Sequence, residues 1–186
     1  MIIVGIDEVG RGCWAGPLVA GAVILREPIE GLKDSKKLGA GRRTQLAKQI
    51  HEEALAVGLG WVDAATIDRI GLTKAVRWAM ERALEQITID YDVVIIDGSL
   101  NFLEHLPKTQ AMIKADDRVP AASAASIVAK VARDQYMIDI APNFPGYGFE
   151  KHVGYGTALH LQQLQKLGVS SLHRRSFKPI KLLINT

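Results

Sequence analysis

The chain has 186 residues, 48% of them hydrophobic and 23% charged, and a formal net charge of +3, a balance that excludes a disordered or fibrous chain and is compatible with a nucleic-acid partner. A single cysteine excludes an internal disulfide and points to a reducing compartment. No apolar run reaches the roughly 20 residues of a membrane-spanning helix, and no basic segment precedes the opening apolar run as in a signal peptide, so a cytoplasmic location is expected and no membrane partner.

Met1 to Asp7 reads as a strand whose continuous apolar run suits coverage on both faces. Leu18 to Leu25 is a second β-prone run, close enough to pair antiparallel with the first. A loop from Gly31 to Gly41 carries Asp34-Ser35-Lys36-Lys37. Helical periodicity is expected from Arg42 to Val57, with Gly58 as its stop, then a short third strand over Gly60 to Val62. Asp63 is placed to cap a brief helix to Arg69, and a longer helix is expected from Thr73 to Ile87. Tyr91 to Asp97 repeats the opening theme, an apolar run Val93-Val94-Ile95-Ile96 that ends in Asp97-Gly98.

Gln110 to Lys114 is expected as a fifth strand. Pro120 suits the first turn of a helix running to Ile140, and its Ala/Ser-rich composition allows close approach to a sheet. Pro142 to Gly148 is a connection, Thr157 to Leu167 a helix ended by Gly168, and the residues from His173 are basic without periodicity. The reading is an α/β fold: a mixed sheet flanked by helices, residues 1–186 as one domain, with 142–186 as a small helical extension packed on it.

The chemistry concentrates at strand ends. Asp7 and Asp97 close two apolar strands, and if these lie parallel and adjacent both carboxylates emerge at the carboxyl edge of the sheet, where open α/β folds bind ligands. Within a regular strand Asp7 and Glu8 face opposite sides, so a shared ion requires the strand to end or twist there. Asp116, just before the Ala/Ser helix, can add another carboxylate. Asp7, Glu8, Asp97 and Asp116 form an all-oxygen donor set that suits Mg²⁺ or Mn²⁺ rather than zinc. Two such ions can clamp the attacking and leaving oxygens of an in-line phosphoryl displacement. Beside them, Gly10-Arg11-Gly12 combines close backbone approach with a phosphate-matching guanidinium.

These motifs resemble ribonuclease HII, the type 2 bacterial ribonuclease H. The resemblance rests on Gly5-Ile6-Asp7-Glu8-Val9-Gly10-Arg11-Gly12 with Ala15-Gly16-Pro17, on Asp34-Ser35-Lys36-Lys37-Leu38, on Ile96-Asp97-Gly98, and on Lys114-Ala115-Asp116 followed by Val119-Pro120-Ala121 and Ser123 to Asp134. It also rests on Gly154-Tyr155-Gly156-Thr157 and His173-Arg174-Arg175-Ser176-Phe177. Cys13-Trp14 and Gly156 depart from the common pattern, with Trp14 in place of a small apolar residue and Gly156 in place of proline. The resemblance implies an RNase H-like fold with a five-stranded sheet and a four-carboxylate metal site on Asp7, Glu8, Asp97 and Asp116. It implies a reader of the ribonucleotide made of Gly10, Arg11, Gly12 and Tyr155, with phosphate contacts from Ser35 and Lys36.

The implied substrates are RNA·DNA hybrids and duplex DNA carrying embedded ribonucleotides, cut to leave 3′-hydroxyl and 5′-phosphate ends. A monomer is expected, without a sliding-clamp peptide. Two other readings stay open: a non-catalytic hybrid-binding module, which should have lost one of the four carboxylates, and an RNase H-like nuclease acting on DNA alone. Lys130 and Arg133, and the basic residues Arg174, Arg175, Lys178 and Lys181, are open between solvent and phosphate; the histidines carry no metal-ligand spacing.

Overall fold

The computed structural model of the chain describes residues 1–32, 35 and 38–184. Lys36, with the rest of its loop motif apart from Ser35 and Leu38, lies outside the described residues.

Five strands form one sheet: β1 (Ile3–Val9), β2 (Leu18–Leu25), β3 (Ala54–Val62), β4 (Val93–Asp97) and β5 (Thr109–Met112), in spatial order β3-β2-β1-β4-β5. β1 pairs antiparallel with β2 and parallel with β4, and β4 pairs parallel with β5. The α/β class and the mixed five-stranded sheet are therefore as expected.

Eight α-helices accompany the sheet among the described residues: α1 (Ala40–Glu53), α2 (Ala64–Ile70), α3 (Leu72–Leu84), α4 (Ala115–Arg118), α5 (Pro120–Ile140), α6 (Phe149–His152), α7 (Ala158–Leu167) and α8 (Lys178–Ile184). Alternation along the strands splits the core in two. Val4, Ile6, Leu18, Ala20, Val94 and Ile96 face α3 through Val76, Ala79, Met80 and Ala83. The opposite parity faces α1 and α5, where Val23 meets Leu46, Ile50, Ala124, Ile127 and Val128. The small residues of α5 let it lie close to the sheet: a Cβ on Gly5 would overlap the backbone between Ala121 and Ala122.

The structure corrects the reading around β3. The helix expected over Arg42–Val57 ends at Glu53, and the strand expected at Gly60 begins at Ala54. Ala-Leu-Ala-Val fits either period locally; pairing with β2 from Ala54 to Val62 decides it. Gly58 is not a helix stop. It and Gly60 lie under α3, where added Cβ atoms would overlap the carbonyl oxygens of Ala83 and Ala79. A short helix, α8, forms in the tail expected to lack periodicity, and another, α6, directly follows the expected connection.

The C-terminal segment folds back onto the loop after β1. Ala15 and His173 form an antiparallel bridge, the Arg174 N–H donates to the Trp14 carbonyl at 2.8 Å, and the Trp14 N–H donates to the Gly154 carbonyl at 2.8 Å.

Candidate active site

Ile6 pairs with Ile96 across the parallel β1–β4 ladder, and the next residue on each strand is an aspartate. Equal register on parallel neighbours sends Asp7 and Asp97 to the same face. That face belongs to α5, because Gly5 and Ile95 of the same parity pack there against Ala121 and Ala122. After β5 the chain turns at Lys114, which takes φ 57° and ψ 43° in the left-handed region, and this aims the Ala115 N–H at Asp97 Oδ1, 2.7 Å away. Asp116 follows on α4, its main-chain carbonyl accepting from Ser123 Oγ of α5.

The result is a cluster in which ligand oxygens of Asp7, Asp97 and Asp116 all lie within 4.8 Å of one another. Asp7 and Asp116 are buried. Desolvation by burial, followed by the charges of Glu8 and Asp97, pushes the Asp7 carboxyl up to about 7, against hydrogen bonds from Ser126 and from the Glu8 N–H at 2.8 Å. Three hard oxygen donors whose charges repel one another are the donor chemistry that a divalent Mg²⁺ or Mn²⁺ relieves.

Glu8 stands apart from this trio. β1 does not end at Asp7 but runs on to Val9, so alternation is kept. The Glu8 carboxylate accepts from Arg11 Nη1 at 3.1 Å, and Arg11 in turn lies over Phe102, with its guanidinium carbon 5.7 Å from the ring centre. Burial raises the Glu8 carboxyl above its usual range, and Arg11 opposes that rise.

Ser35 is 4% exposed, and its Oγ lies 2.9 Å from Ser126 Oγ. It therefore backs the residue that bonds Asp7, instead of standing in solvent. Arg43 donates to the carbonyl oxygens of Ser35 and Leu38, holding this turn against α1.

The Gly10-Arg11-Gly12 loop is built from behind by two arginines that the sequence left open. Both are fully buried. Arg133 donates from Nε to the Pro17 carbonyl (2.8 Å), from Nη2 to Ala15 (3.0 Å) and from Nη1 to Val153 (2.8 Å). Arg174 donates from Nη1 to the Gly10 carbonyl (2.7 Å) and Arg11 (3.2 Å), and from Nε and Nη2 to Gly16 (3.1 and 3.0 Å). Neither is a solvated or phosphate-facing charge. Gly10 has φ +90°, and a side chain there would strike Arg133 Nε, so this position takes glycine on both counts.

Tyr155 is half-buried beside α5. Lys130 Nζ sits 4.9 Å from its ring centre and the Arg133 guanidinium 5.7 Å, and the buried Cys13 thiol is an electrostatic neighbour of its phenol. Burial pushes its phenol up to about 12. Lys130 also pairs with Asp134 at 2.9 Å.

Sequence reasoning missed the histidines. His152, His160 and His173 are all buried; His152 stacks on His160 with ring centres 4.2 Å apart, and His160 Nε2 lies 3.0 Å from His173 Nε2. Gly154-Tyr155-Gly156-Thr157 and His173 were visible as motifs, but their convergence required the fold.

Comparison with known proteins adds an independent line. A family model described as Ribonuclease HII matches residues 4–180. A ribonuclease HII from Nitrosococcus oceani is 48% identical over 185 residues, an alignment covering 96% of this chain and 90% of that relative. The crystal structure of the ribonuclease H2 from Pyrococcus horikoshii OT3 superimposes with a TM-score of 0.83 at 25% identity, covering 100% of this chain and 98% of that one. An Archaeoglobus fulgidus RNase HII, solved as a complex with PCNA, gives a TM-score of 0.77 at 26% identity, covering 96% of each chain.

Proposed function

The chain belongs to the ribonuclease HII family, and from that premise we propose that it is a divalent-metal-dependent endoribonuclease. It cleaves the RNA strand of RNA·DNA hybrids and incises duplex DNA on the 5′ side of an embedded ribonucleotide, leaving 3′-hydroxyl and 5′-phosphate ends. The observation that carries the reading is the convergence of Asp7, Asp97 and Asp116 at the carboxyl edge of β1 and β4.

In this reading Asp7, Asp97 and Asp116 hold Mg²⁺ or Mn²⁺, as a two-ion site, with Glu8 as the fourth carboxylate. Bound there, the cation supplies Lewis-acid activation of water and neutralises charge on the departing oxygen. The chain's own residues set the stage. Ser126, backed by Ser35, and the Glu8 N–H fix the Asp7 carboxylate. The Ala115 N–H fixes Asp97, and Arg11 holds Glu8 ready beside them.

Substrate choice follows from the neighbouring loop. The 2′-hydroxyl of RNA both donates and accepts hydrogen bonds. Main-chain groups of Gly10, Arg11 and Gly12 answer it, with Tyr155 packing on the adjacent sugar. Lys36 takes a phosphate contact in the same reading. One structural relative was solved bound to PCNA, so the expectation of a chain without a clamp tether is not carried forward.

End-labelled cleavage of a duplex bearing one ribonucleotide, in Mg²⁺, Mn²⁺ or EDTA, tests the whole reading. Incision 5′ of the ribonucleotide that EDTA abolishes is expected. Cleavage of an all-DNA duplex at a similar rate would favour a DNA nuclease, and no cleavage under any ion would favour a binding module. Tyr155→Ala is expected to reduce preference for the single ribonucleotide more than it weakens metal binding; an unaltered preference rejects the reader role.

A further inference from the structure

The buried histidines behind Tyr155 form a hydrogen-bonded chain whose direction can be worked out from its two ends. At one end His160 Nδ1 lies 2.9 Å from the Tyr155 carbonyl oxygen, which can only accept, so Nδ1 carries the proton. At the other end the Ser170 backbone N–H, which can only donate, lies 3.0 Å from His173 Nδ1, so that nitrogen is the acceptor. A neutral His173 then carries its proton on Nε2, and a neutral His160 has its lone pair on Nε2; these two atoms face each other at 3.0 Å. Both ends demand the same polarity: Ser170 to His173 to His160 to the Tyr155 carbonyl. Ser170 Oγ, 2.8 Å from His173 Nδ1, adds a second donor.

The chain is sealed on its flanks. His152 stacks on His160 and is itself saturated, with Nε2 donating to the Tyr147 carbonyl at 2.9 Å and Nδ1 accepting from the Gly154 N–H at 3.2 Å. Trp14 lies 5.5 Å from the His160 ring and fills the space beside Gly156, where a Cβ would overlap the indole. The relay meets Tyr155 at its carbonyl, which also accepts from the Thr157 N–H at 2.9 Å, with no bond to the ring, which faces Lys130 and Arg133.

We propose that His160 and His173 are positioning residues for Tyr155: a one-directional imidazole relay, anchored on Ser170, sets where the tyrosine ring stands against Lys130 and Arg133. The link to substrate choice rests on the reading of Tyr155 given above, whereas the link to Tyr155 placement does not.

Two near-isosteric variants separate positioning from space filling. In His160→Asn the amide nitrogen replaces Nδ1 and can still donate to the Tyr155 carbonyl. In His160→Gln the amide reaches the Nε2 position and that donor is lost. Two readouts are taken on the full chain: the rate at which Cys13, the only thiol and an electrostatic neighbour of the Tyr155 phenol, reacts with Ellman's reagent, and the ratio of kcat/KM on a single-ribonucleotide duplex to that on a long hybrid. The asparagine variant, which keeps the bond to the Tyr155 carbonyl but gives up the acceptor for His173, is expected to fall between the parent and the glutamine variant in both. The glutamine variant is expected to react faster at Cys13 and to lose selectivity by about five- to ten-fold, the loss of one buried hydrogen bond.

Equal changes in the two variants, or no change in either, overturn the proposal. If Tyr155→Ala leaves selectivity untouched while thiol reactivity still separates the two variants, the reader role of Tyr155 falls and the positioning role stands. A measurement on the unmodified protein guards against variants that do not fold. Long-range ¹H–¹⁵N correlation at neutral pH is expected to find His160 in the Nδ1–H form and His173 in the Nε2–H form; the opposite tautomer at either residue overturns the relay.

Discussion

Arg133 and Arg174 bond the carbonyl oxygens of three successive residues: Arg133 takes Ala15 and Pro17, and Arg174 takes Gly16 between them. Two fully buried guanidinium groups thereby clamp the loop that follows β1, and Arg174 also holds Gly10 and Arg11. Burial brings the Arg174 guanidinium down to about 10, which still leaves it charged at neutral pH. Arg174→Met strips donors from these buried carbonyls, each worth about 1–3 kcal/mol when left unpaired. A loss of about 3 kcal/mol or more is expected, near 10 °C in Tm for a chain of this size, together with loss of cleavage. Thermal unfolding checks it. An unchanged Tm combined with a salt dependence of substrate binding lowered by about one phosphate contact would instead make Arg174 a DNA-backbone residue.

Asp97→Asn removes a charge from the acidic trio at constant volume. The expected outcome is a folded protein with cleavage reduced by about a hundred- to a thousand-fold, the scale of removing one electrostatic element from a site. Mg²⁺ or Mn²⁺ should raise the Tm of the parent, since a ligand that binds only the folded state stabilises it, and should raise that of the variant much less. Cleavage near the parent rate in Mg²⁺ would remove Asp97 from the site.

The histidine relay makes stability depend on pH. Desolvation by burial brings both His160 and His173 down to about 4 from 6.5. Between those values the unfolded chain binds more protons than the folded one, so stability rises with pH across the window. The contribution is complete above pH 6.5 and is lost as pH falls through 4, on the order of 3 kcal/mol for each histidine. Urea titrations at pH 4.5 and 7, compared between the parent and a His160→Gln, His173→Gln double variant, should show a shallower slope in the variant. Equal slopes would mean that other groups carry the acid sensitivity.

Trp14 and Gly156 form a size-matched pair, because a Cβ on Gly156 would overlap the indole. Gly156→Ala is expected to cost about 1–3 kcal/mol, the usual range for overpacking. In a Trp14→Leu background the same substitution should cost less than half as much. A double-mutant cycle in thermal unfolding measures the coupling; additive losses would show that the two residues are accommodated independently.

Much of the site could be read from the chain because it lies where simple periodicity stops. Val93 to Ile96 and the run before Asp7 both end in aspartate, and the parallel pairing that brings them together follows from an ordinary α/β order of elements. Glu8 was expected to join Asp7 by an end or twist of the strand there, but β1 runs on to Val9 and Glu8 bonds Arg11 instead. The buried arginines were not legible, since a guanidinium that serves main-chain carbonyls looks in sequence like any surface charge. The role of Ser35 was hidden for a similar reason: a hydroxyl in a lysine-rich loop gives no sign that it turns inward to Ser126. β3 was misread because Ala-Leu-Ala-Val suits two periods, and only the approach of α3 explains why Gly58 and Gly60 follow.

The central strand takes one neighbour from nearby and the other from far along the chain: Ile6 meets Ala22 on one side and Ile96 on the other. During synthesis the β1–β2 ribbon can zip as soon as it leaves the ribosome, but Asp7 then stands alone until nearly a hundred more residues have emerged and β4, followed by α4, docks beside it. Nuclease competence is therefore a late event in the life of the polypeptide. A nascent or truncated fragment that has made the first hairpin carries one member of the acidic trio and lacks the two that complete it.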